Sequence, residues 1–256
     1  MSDREKTPIL MVHNLHKKYK DTPVLKGLSF DVYPGEIVSF IGPNGAGKTT
    51  LLKILAGYLT ADAGQVMVSG RNLTNHLSEL NQLVSVVFGG SNGFYRNATV
   101  EENLFFFATL MGIKRRERAN RVAKVLKQVG LSEKKRQRVS NLSMGLLQRL
   151  HIARGLLKES PILLLDEPTN AVDAATAQRL RQLITEIAGE GRSIILTSHI
   201  LHEVSDLADD IHLLYDGQIR FFGTVEEMAS ASGLQQIDRP ATLEESYLAF
   251  MKKLGG

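Results

Sequence analysis

Three segments of this 256-residue chain hold residue types whose spacing suits chemistry on a phosphate. Gly42-Pro43-Asn44-Gly45-Ala46-Gly47-Lys48-Thr49 fits G-x-x-x-x-G-K-[ST], and Thr50 continues it. Its glycines let the backbone wrap so that successive N–H groups face phosphate oxygens. A helix opening near Gly47 adds the partial positive charge of its N-terminus. Lys48 is then the candidate for the β- and γ-phosphates, and the Thr49 hydroxyl for Mg²⁺. The second segment, Pro161 to Pro168, is an apolar run ending in Asp166 and Glu167. Neighbours on an extended chain point to opposite faces, so the two acids are expected in different roles. Asp166 suits the Mg²⁺ shell, and Glu167 suits polarising the water that attacks the γ-phosphate. Without the glycine-rich segment, the pair would read as a solvated strand end. Third, His199 follows the apolar run Ser193 to Thr197, where an imidazole can hold a γ-phosphate. His199 and His202 are three apart, but no third ligand near them is indicated, so a metal there is not expected.

These residues need elements to hold them. Ile9–Val12, Leu28–Tyr33, Glu36–Ile41, Gln65–Val68 and Leu83–Phe88 read as strands, with turns such as Pro34-Gly35 between them. A helix after Gly47 is expected to bury Leu51, Leu52, Leu55 and Tyr58 on one face. From Val100 to Lys158 the period is helical: Val122, Val125, Leu126 and Val129 share a face, with most basic residues opposite. A further helix near Ser143 aligns Leu146, Leu150, Ala153 and Leu157. Beyond residue 160, strands (162–165, 193–197, 211–215) alternate with helices (174–188, 200–208), which implies a parallel sheet with packed helices. The fold expected is an α/β domain interrupted by a helical subdomain near 90–158.

Composition narrows the classes. The chain is 43% apolar and 23% charged, with no cysteine, which excludes a disulfide scaffold and thiol catalysis. The uncharged stretch Leu80–Tyr95 holds Asn, Gln, Ser and three Gly, and Leu104–Ile113 is too short to cross a bilayer. The first ten residues carry no signal-peptide pattern, and a soluble, cytoplasmic protein is expected. The net charge of +4 is uneven: Lys114–Arg138 holds eleven basic and two acidic residues, leaving 20 basic against 25 acidic elsewhere. That stretch reads first as a solvated helix face, then as a surface for anionic lipid. Nucleic acid is not expected, because no aromatic lies within it to stack on bases.

Together these segments resemble the nucleotide-binding subunit of an ATP-binding cassette (ABC) transporter, over nearly the whole chain. Leu142-Ser143-Met144-Gly145-Leu146-Leu147-Gln148-Arg149 is similar to the family signature LSGGQ-x-QR, and Asn170-Ala171-Val172-Asp173 to its D-loop. Tyr19 matches the aromatic that stacks on adenine. The resemblance implies a P-loop NTPase core with a mixed sheet and an N-terminal antiparallel β subdomain. It also implies one domain over 1–256, with a signature subdomain at about 90–158 and a helical tail at about 224–256. It implies ATP and Mg²⁺ as ligands, with Ser143 and Gly145, at the open end of a helix, meeting ATP on a second copy or close paralogue. The implied working place is peripheral, on the cytoplasmic face of the membrane, beside a separate permease. Phe94, Tyr95 and Leu104–Phe107 are candidates to line the permease groove, with subdomain core the plainer reading for most of the phenylalanines. The tail Thr242–Leu248 resembles the ABC-2 exporter branch and so suggests export. A non-transport ATPase, such as an iron–sulfur assembly partner, is the competing reading. The chain departs from the family where its Q-loop glutamine falls near Gly90, and at Met144 and Leu146.

Overall fold

In the computed structural model, which describes residues 7–89, 93–234 and 239–255, helices pack around two sheets. Strands β1 (Leu10–Tyr19), β2 (Thr22–Val32), β4 (Ala63–Val68) and β5 (Arg71–Asn72) form an antiparallel sheet in the order β2-β1-β4-β5. The second sheet combines β3 (Ile37–Ile41), β6 (Val84–Val87), β7 (Ile162–Asp166), β8 (Ser193–Thr197), β9 (Asp210–Tyr215) and β10 (Gln218–Gly223). Its order is β10-β9-β3-β8-β7-β6, parallel throughout except for the returning edge strand β10.

The central strands read as unbroken apolar runs because both of their faces are covered. Leu163 and Leu165 of β7 join a core shared with the helical region. Ile162 and Leu164 face the antiparallel sheet and α1 (Lys48–Leu55). The helical region contains α3 (Val100–Leu110), α4 (Arg115–Gln128) and α5 (Met144–Leu156), preceded in the chain by α2 (Leu77–Leu83). A capping box of Thr99 and Glu102 starts α3. Val122, Val125 and Leu126 are the buried side of α4, as their spacing predicts. After β7 come α6 (Ala174–Gly189) and α7 (Leu201–Leu207). Finally α8 (Val225–Ser232) and α9 (Leu243–Gly255) pack with β9 and α7 in a third core. Among the described residues, no helix is long and apolar enough to cross a membrane.

Some local expectations change. Helix α1 ends at Leu55, and Gly57 turns the chain at φ 72°, so Tyr58 is 60% exposed instead of sharing the face of Leu51, Leu52 and Leu55. Strand β1 runs to Tyr19, well past Val12, because pairing with β2 and β4 sustains a polar stretch. Strands β5 and β10 and helix α2 are elements that the sequence reading did not include.

Candidate functional site

The loop from β3 to α1 needs its glycines for different local reasons. At Gly42 (φ 149°) the chain passes so near β9 that a Cβ would lie 2.0 Å from the Leu214 carbonyl oxygen. At Gly47 (φ 110°) a Cβ would meet the Leu25 side chain at 2.6 Å. Gly45 (φ 82°) is exposed, with nothing within 4 Å of a Cβ, so its backbone is approachable. Lys48 is buried, and its Nζ donates to the carbonyls of Gly42 (2.6 Å) and Pro43 (3.0 Å). Burial lowers the pKa of this ammonium, while Glu167 and Asp166 nearby oppose the shift.

The two carboxylates are held apart, though not by strand alternation as expected. Strand β7 ends at Asp166, and Glu167 has φ 50°, a left-handed conformation outside the strand. Asp166 accepts from Thr197 Oγ1 (2.6 Å) and from Thr49 Oγ1 (3.5 Å). The Glu167 amide donates to the Thr197 carbonyl at 3.0 Å, fixing the turn. Its carboxylate meets His199 Nδ1 (3.2 Å) through one oxygen and Asn170 Nδ2 (2.9 Å) through the other. Below this turn, Thr169 donates to the buried Glu203, which Arg181 pairs at 2.9 Å. That anchors the acidic turn to α6 and α7.

Asn44, Gly45, Gly47, Lys48, Thr49 and Thr50 form one wall of a cleft of about 300 Å³, with Asp166 and Glu167 opposite and Tyr19 and Val24 at its edge. Tyr19 is 47% exposed, with Lys17 Nζ over its ring at 6.0 Å. Gly42, Pro43 and Ala46 shape the loop behind this surface. An adjoining cavity of about 350 Å³ shares Thr49, Asp166 and Glu167 and continues to Gly89, Met144, Gln148 and Asn170. Gln148 is buried there, and among the described residues its Nε2 has no hydrogen-bond partner. Thr197 is a site residue that sequence reasoning missed, because a single hydroxyl at a strand end carries no pattern until the fold places it beside Asp166. Asn170 and Gln148 stood in the D-loop-like and signature-like segments without a role of their own.

Ser143 and Gly145 do not line the cleft. Ser143 is exposed and caps α5 by accepting from the Leu146 amide (3.4 Å). Gly145 does not face outward as expected: it is buried, and a Cβ would lie 2.2 Å from Thr176 Cγ2 on α6. Close packing of α5 on α6 explains that glycine. Asp173 of the D-loop-like segment caps α6 through the Thr176 amide (3.0 Å). The Q-loop position at Gly90, with Ser91 and Asn92, lies outside the described residues. Among the described residues, no cluster of three or more His, Asp or Glu is placed to hold a metal.

A groove of about 780 Å³ separates the nucleotide-loop half from the helical region, lined by Tyr58, Phe88, Phe107, Leu110, Arg154 and Lys158, among others. Of the expected groove residues, Phe107 lines it. Leu104 is fully buried core, Phe105 packs partly buried against that core, and Phe94 stacks under Arg154 (5.0 Å). Tyr95 and Phe106 pack edge-to-face on each other outside it. In the basic stretch, Arg118 bonds the Ile113 carbonyl and Arg121 the Leu157 carbonyl and Glu159, so part of that charge is structural.

Residues 25–170 match the family described as ABC transporter. The chain is 33% identical over 211 residues to the ABC transporter ATP-binding protein NatA of Bacillus subtilis, covering 82% of this chain and 86% of that protein. It is 34% identical to the lantibiotic transport ATP-binding protein SrtF of Streptococcus pyogenes, covering 82% and 89%. Among solved structures, cbiO1 from Clostridium perfringens, part of the transporter complex cbiONQ, superposes with a TM-score of 0.81. Identity there is 28%, covering 88% of this chain and 92% of that one.

Proposed function

Since the chain belongs to the ABC transporter family and is an ATP-binding, ATP-hydrolysing subunit of such a transporter, we propose that its cleft residues work as follows to drive export through a separate permease. The observation that carries this reading is the meeting of Lys48, Thr49, Asp166 and Glu167 on one cleft edged by Tyr19. ATP enters with adenine on Tyr19 and its phosphates along the loop from Gly42 to Thr50. Lys48 exchanges its two carbonyl partners for phosphate oxygens, and burial makes that charge more effective than it would be in water. Glu167, oriented by His199 and Asn170, accepts a hydrogen bond from the attacking water and lines it up with the γ-phosphorus. His199 donates a ring N–H to the γ-phosphate, whose oxygens only accept. The reaction is ATP + H₂O → ADP + phosphate, by positioning and electrostatics without a covalent intermediate.

Thr49 and Asp166 offer hard oxygen donors 3.5 Å apart, which suits Mg²⁺ completed by phosphate and water. Bound there, the ion supplies positive charge against the phosphates.

The exposed Ser143 end of α5 is free to close over ATP on a second copy, giving two nucleotides between two subunits. The groove beside Tyr58 and Leu110, both exposed, is the proposed seat of the permease, which would hold the subunit against the inner face of the membrane. Likeness to SrtF, named for lantibiotic transport, supports export, and the relatives' names favour transport over iron–sulfur assembly. The test is Glu167→Gln. It should abolish turnover, retain ATP, and convert the protein to an ATP-dependent dimer on size exclusion. Hydrolysis at the parent rate would refute the role given to Glu167.

A further inference from the structure

Away from the nucleotide cleft, the two sheets part along a second opening of about 680 Å³. Met11 of β1, Phe30 of β2 and Met67 of β4 form one wall; His212 of β9 and Phe222 of β10 form the other. None of these residues lines the nucleotide cleft. The size falls within the range of small-molecule sites, about 300–1,000 Å³, and the lining is apolar with a few polar groups, as such sites are.

Two features give the opening a chemistry. The first is His212, whose ring lies 4.9 Å from Phe40, 5.5 Å from Phe30 and 6.2 Å from Phe222. Burial lowers its pKa to about 4, so the imidazole is neutral at pH 7. It is 5% exposed, and among the described residues its Nδ1 has no hydrogen-bond partner, so its ring enters the opening as a neutral aromatic face. The second feature is charge. Asp31 and Asp210 stand on the lining, and no Lys or Arg does among the described residues. Glu36, just before β3, is pushed up to about 7, chiefly by burial and also by its neighbours Asp210 and Asp209. The field at this end of the cleft is therefore negative.

Phe222, on the edge strand β10, is 68% exposed and lines this opening. A flat ring slid beneath it would cover that surface and stack on Phe30 and His212. A positive group on the same molecule would be drawn to the carboxylates and to the aromatic faces. An anion would meet Asp31 and Asp210 with no Lys or Arg among the described lining residues to offset them. We propose that this cleft binds a small aromatic ammonium compound, its ring between Phe30 and Phe222 against His212 and its cationic end toward Asp31 and Asp210. This site is separate from the ATP reading and stands without it.

Tryptamine is the probe. The chain contains no Trp, so indole emission and its anisotropy report the probe alone. Saturable binding is expected, with indole-3-acetate, which replaces the ammonium by a carboxylate, at least about tenfold weaker. Phe222→Ala and Asp31→Asn, both at exposed positions, should each weaken tryptamine at least about threefold. Lys48→Ala should leave it unchanged. The proposal is overturned if tryptamine does not saturate, if indole-3-acetate binds equally, or if neither the Phe222 nor the Asp31 variant weakens it. Displacement of tryptamine by ATP would overturn it too, by placing the probe on Tyr19.

Discussion

The two ends of the parallel strands treat buried charge in opposite ways. At the C-terminal end, Lys48 lies against two backbone carbonyls with Asp166 and Glu167 nearby, and each carboxylate has its own hydrogen-bond donors. At the N-terminal end, Glu36, Asp209 and Asp210 crowd together beside a neutral His212. There the Asp209 carboxylate accepts the Ile37 amide (2.8 Å) and Glu36 the Tyr33 amide (2.7 Å), yet burial and the neighbouring acids still raise the pKa of Glu36. The contrast teaches that charge at the first end is pre-oriented for an incoming anion. Charge at the second end makes stability respond to pH. Substitutions at one end should therefore change turnover, and those at the other should change the pH profile of unfolding.

The largest expected effect is at the catalytic end. Glu167→Gln should lower kcat by roughly 10²–10⁴ with little change in thermal unfolding, measured by phosphate release and calorimetry. Second is Gly42→Ala. A methyl group driven into the Leu214 carbonyl at a left-handed φ should destabilise the fold by about 3 kcal/mol in urea unfolding. An unchanged midpoint would mean that the loop does not pass β9 so closely.

The third prediction concerns the other end. His212 has a folded pKa below its ordinary 6.5, so between pH 6.5 and 4 the unfolded chain binds more protons and stability falls as pH falls. The loss reaches about 3 kcal/mol below pH 4. Glu36 has the reverse sign: its folded pKa lies above 4.5, so stability falls as pH rises from 4.5 to 7. Glu36 is only partly buried, so solvent screens its share and the opposing slope is the smaller. Glu36→Gln should steepen the acid loss between pH 6.5 and 4.5, and His212→Phe should reverse the slope, in urea melts run at stepped pH. Parallel profiles for both variants and the parent would remove the contrast between the two ends. The smallest effect is Asp173→Ala, which removes the cap on α6 and should lower the urea midpoint slightly in the same melts.

What could be read in the sequence was what is local. The phosphate loop is contiguous from Gly42 to Thr49, and Asp166-Glu167 ends an apolar run, so motif and strand order placed both at one sheet edge. The buried face of α4 followed from the spacing of Val122, Val125 and Leu126. Residues whose role depends on a distant neighbour could not be read this way. The need for glycine at 145 comes from Thr176, and Gly57, which turns Tyr58 out of the core, passes close to the Leu77 carbonyl. Glu167 departs from the strand through a positive φ that its residue type does not announce. The opening between the sheets joins Phe30 to Phe222, residues far apart in the chain, and no periodicity links them.

The most direct test of the central claim is a crystal structure with Mg²⁺ and a nonhydrolysable ATP analogue. Lys48 should have left the carbonyls of Gly42 and Pro43 for the β- and γ-phosphates, with Thr49 and Asp166 flanking the metal and Glu167 facing the γ-phosphorus. A fully occupied nucleotide bound elsewhere, with Lys48 still on those two carbonyls, would contradict the account.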